Sequence, residues 1–451
     1  MQRLFGTDGI RGVVGVELTC ELALKLGRAL CNILSESGRY RPKILIGCDT
    51  RASSDMLTAA VASGICAEGG DVLLCGVCST PAVAYLVKKH KFDAGVMISA
   101  SHNPYQYNGI KIFASDGFKL SDELETQIED IIFAPMRQYL PSRIGKIENL
   151  SGAVDEYIDY LVSSFGISLA GIKVGIDCAN GSASATAKKL FKRLDAECYM
   201  TADAPNGENI NLECGSTCLD RVKALVKEKK LDLGVAFDGD ADRCLAVDSE
   251  GREVDGDFIM AILALDLLAE GKLNKNTVVG TLATNMGFIK FCEKNGINYI
   301  SSKIGDRYVL EMMNQEGYSL GGEQSGHIIL RELATTGDGL LTAIALLSCI
   351  KKSGKSLNEL RKVMKEYPQR TANIKASKSD KLAFLVDTEI KEILDEANSK
   401  IKANGRILAR PSGTEPLIRI MVEGESEELI DTILTDVSEK IKKRLCEIAS
   451  D

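Results

Sequence analysis

Short apolar runs recur along the chain in a repeated order: an apolar strand, a loop of Gly, Asp, Asn and Ser, an amphipathic helix, and further strands of which the last ends in a polar loop. In the first copy this pattern predicts a strand at 43–48, a loop at 49–54, a helix to about residue 69, and strands at 71–75 and 94–99, the last running into Ser99-Ala-Ser-His-Asn-Pro104. A second copy starts at 172–176, loops through Asp177-Cys-Ala-Asn-Gly181, and reaches a strand at 231–237 that delivers Asp238-Gly-Asp-Ala-Asp-Arg243. The third starts at 277–282, loops through Ala283-Thr-Asn-Met-Gly287, and ends in Gly321-Gly-Glu-Gln-Ser-Gly-His327. From about residue 368 the character changes to an apolar helix near 382–397, a strand, loop and strand over 406–423, and a closing helix from 426 to about 448.

Strands alternating with helices make an α/β fold, and open α/β sheets bind ligands at the carboxyl ends of their strands. The expectation is three similar α/β domains, over 1–150, 151–250 and 251–367, plus a smaller C-terminal α+β domain over 368–451, with the polar loops converging on a central cleft. Three unrelated sets of surface turns would be the competing reading. The seams are expected at 141–152, 248–257 and 366–371, with no long Pro/Gly linker between domains.

Composition narrows the partners. The 451 residues carry a net charge of −8 with acids and bases intermixed, so no basic stripe offers itself to a nucleic acid or an anionic membrane. An anionic ligand must meet local positive groups. The first residues have no apolar leader and no later apolar run is long enough to span a bilayer, which points to a soluble protein that stays in the cell. Fourteen scattered cysteines suit buried free thiols in a reducing cytoplasm. The close pairs Cys75/Cys78 and Cys214/Cys218 leave a four-thiolate zinc site as the less favoured alternative.

Asp238, Asp240 and Asp242 alternate with Gly239 and Ala241, a spacing that lets three carboxylates converge from one loop. Hard cations take such an oxygen cage, and an EF-hand is excluded because Arg243 and Ser249 stand where that loop needs Gly and Glu. Three carboxylates with room for a phosphate oxygen favour one Mg²⁺ ion; the alternative is a solvated acidic turn. Ser101 follows an apolar strand, with Pro104 stiffening the loop exit and His102 beside the hydroxyl, which makes it a nucleophile candidate only in company with the other loops. His327 shares its loop with Glu323, Gln324 and Ser325, a set able to hold sugar hydroxyls while an imidazole moves a proton; a structural histidine bonded to backbone is the alternative. Arg410-Pro-Ser-Gly-Thr-Glu-Pro416 with Arg419 combines hydroxyls, a glycine N–H and guanidinium groups and reads as a phosphate cradle. Phe5-Gly-Thr-Asp-Gly-Ile-Arg-Gly12 lacks the nucleotide-binding glycine spacings, leaving Arg11 as either a phosphate ligand or a partner of a nearby acid.

Taken together, from Phe5 to about Glu423, these motifs resemble the α-D-phosphohexomutase family, whose four domains set a phosphoserine, a metal loop, a sugar loop and a phosphate loop around a central cleft. Phe5–Gly12, Lys303-Ile-Gly-Asp-Arg-Tyr308, Gly322-Glu-Gln-Ser-Gly-His327 and Thr335-Thr-Gly-Asp-Gly339 resemble the branch that handles a hexosamine phosphate. That resemblance implies interconversion of glucosamine 6-phosphate and glucosamine 1-phosphate through a bisphosphate, for cell-wall amino sugars. It makes Ser101 the phosphoserine and a metal ligand beside Asp238, Asp240 and Asp242. It gives Glu323 and Ser325 to the sugar hydroxyls, Arg410, Ser412, Gly413, Thr414 and Arg419 to the distal phosphate, and Arg11, Lys111, Arg243 and His327 to charge or proton transfer. A monomer or homodimer is expected, with a mobile fourth domain. Tyr107 departs from the family, which commonly carries aspartate before Asn108-Gly109. A metal-dependent phosphatase and a silent sugar-phosphate sensor are the competing classes.

Overall fold

A computed structural model of the chain describes residues 3–6, 8–35, 40–134, 144–401, 405–412 and 416–450. These residues form two compact units, one of 1–281 with 297–363 and the other of 282–296 with 364–451.

The larger unit holds three sheets among the described residues. The first uses β1 (Ile10–Val13), β2 (Lys43–Cys48), β3 (Asp71–Val77), β4 (Ala94–Ile98), β5 (Tyr107–Ala114) and β6 (Ile147–Asn149) in the order β1-β5-β4-β2-β3-β6. Its centre, β2 and β4, is covered on both faces, and this is why those strands read as unbroken apolar runs: Ile44, Leu45, Ile46, Val96, Met97 and Ile98 are all buried. The second sheet uses β7 (Lys173–Asp177), β8 (Glu197–Thr201), β9 (Leu233–Phe237), β10 (Cys244–Asp248) and β11 (Glu253–Val254) in the order β11-β10-β9-β7-β8. The third uses β12 (Thr277–Thr281), β13 (Asn298–Ser302), β14 (Leu320–Gly322) and β15 (Ile328–Leu330) in the order β13-β12-β14-β15.

One device recurs in all three. Strands β2, β7 and β12 pair in parallel with their neighbours, and the last parallel strand turns back through an antiparallel partner: β4 into β5, β9 into β10, β14 into β15. The polar loop anticipated after the last strand of each copy is the connection of that hairpin. An apolar strand thus fixes each loop at both ends.

The smaller unit is an antiparallel sheet of β16 (Gln369–Lys375), β17 (Gly405–Pro411) and β18 (Leu417–Gly424) in the order β16-β18-β17, packed by helices Thr388–Ile401 and Glu427–Ser450 around Ile374, Ile390, Ile418, Ile420, Val422, Ile430 and Val437. Two features differ from the sequence expectation. The apolar stretch at 382–397 is two helices, Lys378–Val386 and Thr388–Ile401, because Asp387 leaves the helical conformation and its carboxylate accepts from the Ile390 N–H at 2.9 Å. The loop at 283–287, expected to serve the third α/β copy, groups with the C-terminal unit: the Asn285 amide donates to the Tyr367 carbonyl at 2.9 Å and the Met286 N–H to Glu423 Oε1 at 2.8 Å.

Candidate active site

The loop from β4 to β5 carries Ser101 in the left-handed region, at φ 52°, with only 1% of the residue exposed. A serine does not hold that conformation unaided; its surroundings impose it. Arg51, fully buried, spreads its guanidinium over four carbonyls of this loop. It donates to Ser101 O (3.0 Å), Asn103 O (2.8 Å), Pro104 O (2.5 Å) and Tyr107 O (3.0 Å), while its Nε is held by Asp49 at 2.8 Å. Asp49 also accepts from the Ser99 hydroxyl at 2.6 Å, and Ser99 Oγ in turn accepts from the Ser101 N–H at 3.0 Å. Tyr107 is used here through its backbone, so its departure from the family pattern leaves this loop closed. Sequence reading missed Arg51; the one signal was an arginine two residues after an aspartate in the Asp49-Thr-Arg loop.

The loop from β9 to β10 brings Asp238, Asp240 and Asp242 together, all buried, with one oxygen from each lying within 4.8 Å of the others. Ser101 Oγ donates to Asp238 Oδ2 at 2.6 Å, so nucleophile candidate and acidic cluster are in direct contact across two sheets. Burial, together with Asp242 and Asp240, pushes the Asp238 carboxyl well above the usual range. Asp240 Oδ1 and Asp242 Oδ1 are buried without a hydrogen-bond partner. Three crowded carboxylates with orphaned oxygens and one proton-hungry member are a donor set that a hard divalent cation satisfies. The residues therefore fit Mg²⁺.

Lys111, from β5, is buried with its Nζ 2.8 Å from Asp240, 3.4 Å from Asp242 and 3.0 Å from Asp8. Burial alone would lower this amine, but Asp240 and Asp242 outweigh it and raise it, so Lys111 is a fixed cation. Thr80 braces the same loop, donating its hydroxyl to Asp240 Oδ2 at 2.5 Å and its N–H to Asp240 O at 3.0 Å.

His327, from the loop between β14 and β15, completes the cluster. Its Nδ1 lies 3.6 Å from Asp242 and its Nε2 lies 3.6 Å from Asp306, and Nε2 accepts from the Gly337 N–H at 3.1 Å. Burial lowers its basicity, but Asp242 and Asp306 outweigh it and the net shift is upward. Lys119 joins Asp306 (2.6 Å) to Asp8 (2.7 Å). Acids and bases thus alternate around a closed ring: Asp8, Lys111, Asp242, His327, Asp306, Lys119. Only Lys111, Asp242 and His327 of these six were singled out from sequence. Asp306 lay unassigned in the Lys303–Tyr308 motif. Asp8 likewise lay unassigned in the Phe5–Gly12 motif, and Lys119 carried no signal, since its role depends on segments distant along the chain.

The remaining residues fall as follows. His102 Nδ1 is 3.3 Å from Ser101 Oγ, and burial, with Arg243 and Arg11, lowers its imidazole to about 4, so it is neutral. Arg243 directs its Nε to 3.9 Å from Asp242 and its N–H to Asp238 Oδ1 at 3.2 Å. Arg11 pairs with Asp8, the nearby-acid alternative for it. Glu323 and Ser325 are half-buried in the His327 loop, and Glu323 Oε1 accepts from the Gly305 N–H at 3.0 Å. Gly339, from the Thr335–Gly339 motif, donates its N–H to the Ala241 carbonyl at 3.0 Å, tying that motif to the acidic loop.

In the smaller unit, Arg410 and Arg419 stand directly opposite each other on β17 and β18. Burial and the Arg419 charge lower the Arg410 guanidinium. Like charges facing across a strand pair repel, a cost that an anion between them removes. Ser412 follows on β17's exit, donating its N–H to the Leu417 carbonyl at 2.9 Å, while Gly413 and Thr414 lie outside the described residues. The cysteines are free thiols, and the acidic triplet is the metal-type cluster found among the described residues, so the zinc alternative gains nothing.

Family models for the phosphoglucomutase/phosphomannomutase α/β/α domains I, II and III match residues 2–138, 155–251 and 255–367, and the model for the C-terminal domain matches 353–440. The phosphoglucosamine mutase of Caldicellulosiruptor saccharolyticus is 51% identical over 450 residues, covering 99% of this chain and 100% of that one. That of Acetivibrio thermocellus is 47% identical over 448 residues, with coverage of 99% and 100%. Among solved structures, a phosphoglucomutase/phosphomannomutase family protein from Burkholderia thailandensis superposes with a TM-score of 0.82 at 22% identity, covering 98% of each chain. The Aspergillus fumigatus N-acetylphosphoglucosamine mutase in complex with GlcNAc-6P and magnesium superposes with a TM-score of 0.68 at 17% identity, covering 98% of this chain and 95% of that one. These last two likenesses carry the fold, and the curated relatives carry the finer assignment: the chain belongs to the α-D-phosphohexomutase family and, within it, to the phosphoglucosamine mutases.

Proposed function

We propose that this chain interconverts glucosamine 6-phosphate and glucosamine 1-phosphate by passing a phosphoryl group through Ser101. The observation that carries the reading is the 2.6 Å contact between Ser101 Oγ and Asp238 at the edge of a three-carboxylate cluster. A serine there can carry a phosphoryl group whose charge the cluster's cation and its basic neighbours offset.

Asp238, Asp240 and Asp242, with an oxygen of phosphorylated Ser101, would hold Mg²⁺, which when bound neutralises charge on the phosphoryl oxygens in transfer. The chain's own residues do the rest. Ser101 gives its phosphoryl group to a hydroxyl of the bound monophosphate: the bond from phosphorus to Ser101 Oγ breaks as the bond to the sugar oxygen forms. His327 takes the hydroxyl proton, held between Asp242 and Asp306. Lys111, Arg11 and Arg243 supply positive charge at the reacting end. Glu323 and Ser325 hold sugar hydroxyls, and Arg410, Ser412, Gly413, Thr414 and Arg419 bind the distal phosphate. The bisphosphate then turns around and returns its other phosphoryl group to Ser101, with His327 restoring the proton to the sugar oxygen it leaves.

The reading extends to a cytoplasmic enzyme, a monomer or homodimer. Its cytoplasmic part is supported by the free thiols, and among the described residues no helix is long and apolar enough to cross a membrane. The domain limits at about 150, 250 and 367 belong to the same proposal, supported by where the first and third hairpin-bearing sheets fall, while the second sheet runs on past 250 to Val254 in β11.

A coupled mutase assay with Mg²⁺, comparing glucosamine 6-phosphate with glucose 6-phosphate and mannose 6-phosphate at matched concentration, tests the substrate. A large preference for the amino sugar is expected. Equal or better use of a neutral sugar would keep the family and overturn the substrate, and steady release of inorganic phosphate would make the chain a phosphatase.

A further inference from the structure

Cys75 and Cys78 are three residues apart at the end of β3, a spacing that in a regular strand sends side chains to opposite faces. The structure brings their sulfurs to 3.2 Å. A backbone irregularity does this. The pairing of β2 with β3 passes from Ile46 opposite Leu74 to Gly47 opposite Gly76, which leaves Cys75 as an extra, bulged residue, and Gly76 follows it at φ +71°. Bulges re-aim a side chain. The neighbouring strand makes room, because a Cβ on Gly47 would lie 2.5 Å from Cys78 Sγ and 2.9 Å from Cys75 Sγ. Bulge, left-handed glycine and missing side chain together build one slot for two sulfurs. Cys75 is half-buried and Cys78 is buried.

The slot is wired to the acidic cluster. Cys78 is followed by Ser79, which caps the helix Thr80–His90 through its hydroxyl, and by Thr80, which holds Asp240 by both N–H and hydroxyl. A disulfide bond is about 2.05 Å long, so closing the 3.2 Å gap draws the sulfurs together by about 1 Å and pulls on this short connection.

We propose that Cys75 and Cys78 form a reversible disulfide with a low-molecular-weight disulfide as oxidant, and that this bond weakens Mg²⁺ binding through Thr80 and Asp240. The Cys75 thiolate attacks one sulfur of the small disulfide and expels a thiolate. Cys78 sulfur then attacks Cys75 sulfur and expels the second. Two cysteine thiols are oxidised to one disulfide, the small disulfide is reduced to two thiols, and the two cysteine protons pass to them. Loss of a partner that orients a metal ligand costs on the order of tenfold or more in metal affinity.

The test uses the full chain, reduced or treated with oxidised glutathione. Mass spectrometry maps the disulfide, and thermal unfolding against Mg²⁺ concentration gives the Mg²⁺ midpoint without reference to any sugar, so the result stands or falls apart from the substrate assignment. The expected result is a Cys75–Cys78 bond reversed by dithiothreitol, a Mg²⁺ midpoint raised about tenfold, and a Cys75→Ser variant whose midpoint is that of the reduced chain with or without oxidant. Glutathione on the exposed Cys446 with Cys75 and Cys78 still thiols would overturn the proposal. So would a mapped bond with an unmoved Mg²⁺ midpoint, or an equal oxidant effect on Cys75→Ser.

Discussion

Gly239 packs against the Ser101 carbonyl so closely that a Cβ on it would lie 2.5 Å from that oxygen, with side-chain atoms of Ile210 and Asn211 at 2.8 and 2.9 Å. In sequence Gly239 served only to space two aspartates; in the fold it lets the acidic loop and the serine loop touch. Gly239→Ala must push the loops apart by several tenths of an ångström, and misplacement on that scale costs about tenfold to a hundredfold in turnover. The expected variant is folded by circular dichroism with kcat reduced to that degree. A near wild-type kcat would show that the Ser101–Asp238 contact has slack.

Arg51 is expected to matter through shape more than charge. Arg51→Lys keeps one positive charge but cannot span four carbonyls, since an ammonium lacks the planar fork. Asn211 still donates to the Ser101 and Asn103 carbonyls and the Tyr107 N–H to that of Pro104, so the cost is that of losing two or more hydrogen bonds from a charged donor, about 2–4 kcal/mol. Both the unfolding temperature and kcat should fall. A lower unfolding temperature with unchanged kcat would confine the clamp to stability.

Lys111→Met removes the ammonium that Asp8, Asp240 and Asp242 share, leaving buried carboxylates uncompensated at a cost of about 3–5 kcal/mol. Thermal unfolding in EDTA should show a marked loss, and Mg²⁺ should raise the unfolding temperature further in the variant than in wild type. Turnover at saturating Mg²⁺ should still fall, since the charge at the reacting end is gone. Equal Mg²⁺ gains in both proteins would mean that Lys111 and the cation do not share the task of neutralising the cluster.

Asp177 ends β7, fully buried, with one carboxylate oxygen accepting from the Ala179 N–H and the other without a partner. Burial pushes its carboxyl up to about 6. A folded-state value above the unfolded one contributes stability that is present in full below about pH 4 and is lost as pH rises to about 6. Two pH units amount to about 3 kcal/mol as an upper order of magnitude. Between pH 4 and pH 7 wild type should therefore lose more stability than Asp177→Asn, in which nothing titrates. Parallel pH profiles for the two would rule out the raised carboxyl.

Much of this was legible in the sequence, for identifiable reasons. Central parallel strands covered on both faces give apolar runs, so the three copies stand out. Their hairpin loops are polar although buried, because they pack charge against charge where the sheets meet, so Ser101, the aspartate triplet and His327 stand out in turn. Arg51, Asp8, Lys119 and Asp306 did not, because an arginine that grips carbonyls and an acid that bridges two bases look like ordinary surface charges until the fold sets their neighbours. The break at Asp387 was hidden as well: Leu382 and Ala397 fit one helical period, and only the Asp387 side chain capping Ile390 divides it. The loop at 283–287 follows the α/β rhythm in sequence, yet its hydrogen bonds go to Tyr367 and Glu423.

The ring from Asp8 to Lys119 also bears on how the chain is made. Its six members come from segments belonging to all three α/β sheets, so during synthesis Lys111 and Asp8 are complete long before Asp242, and Asp306 and His327 arrive last. Until then this part of the seam offers water a set of hydrated charges and not a sticky apolar face. A partly made chain is thereby protected at this point from aggregation, and no product that stops short of His327 can carry the assembled ring.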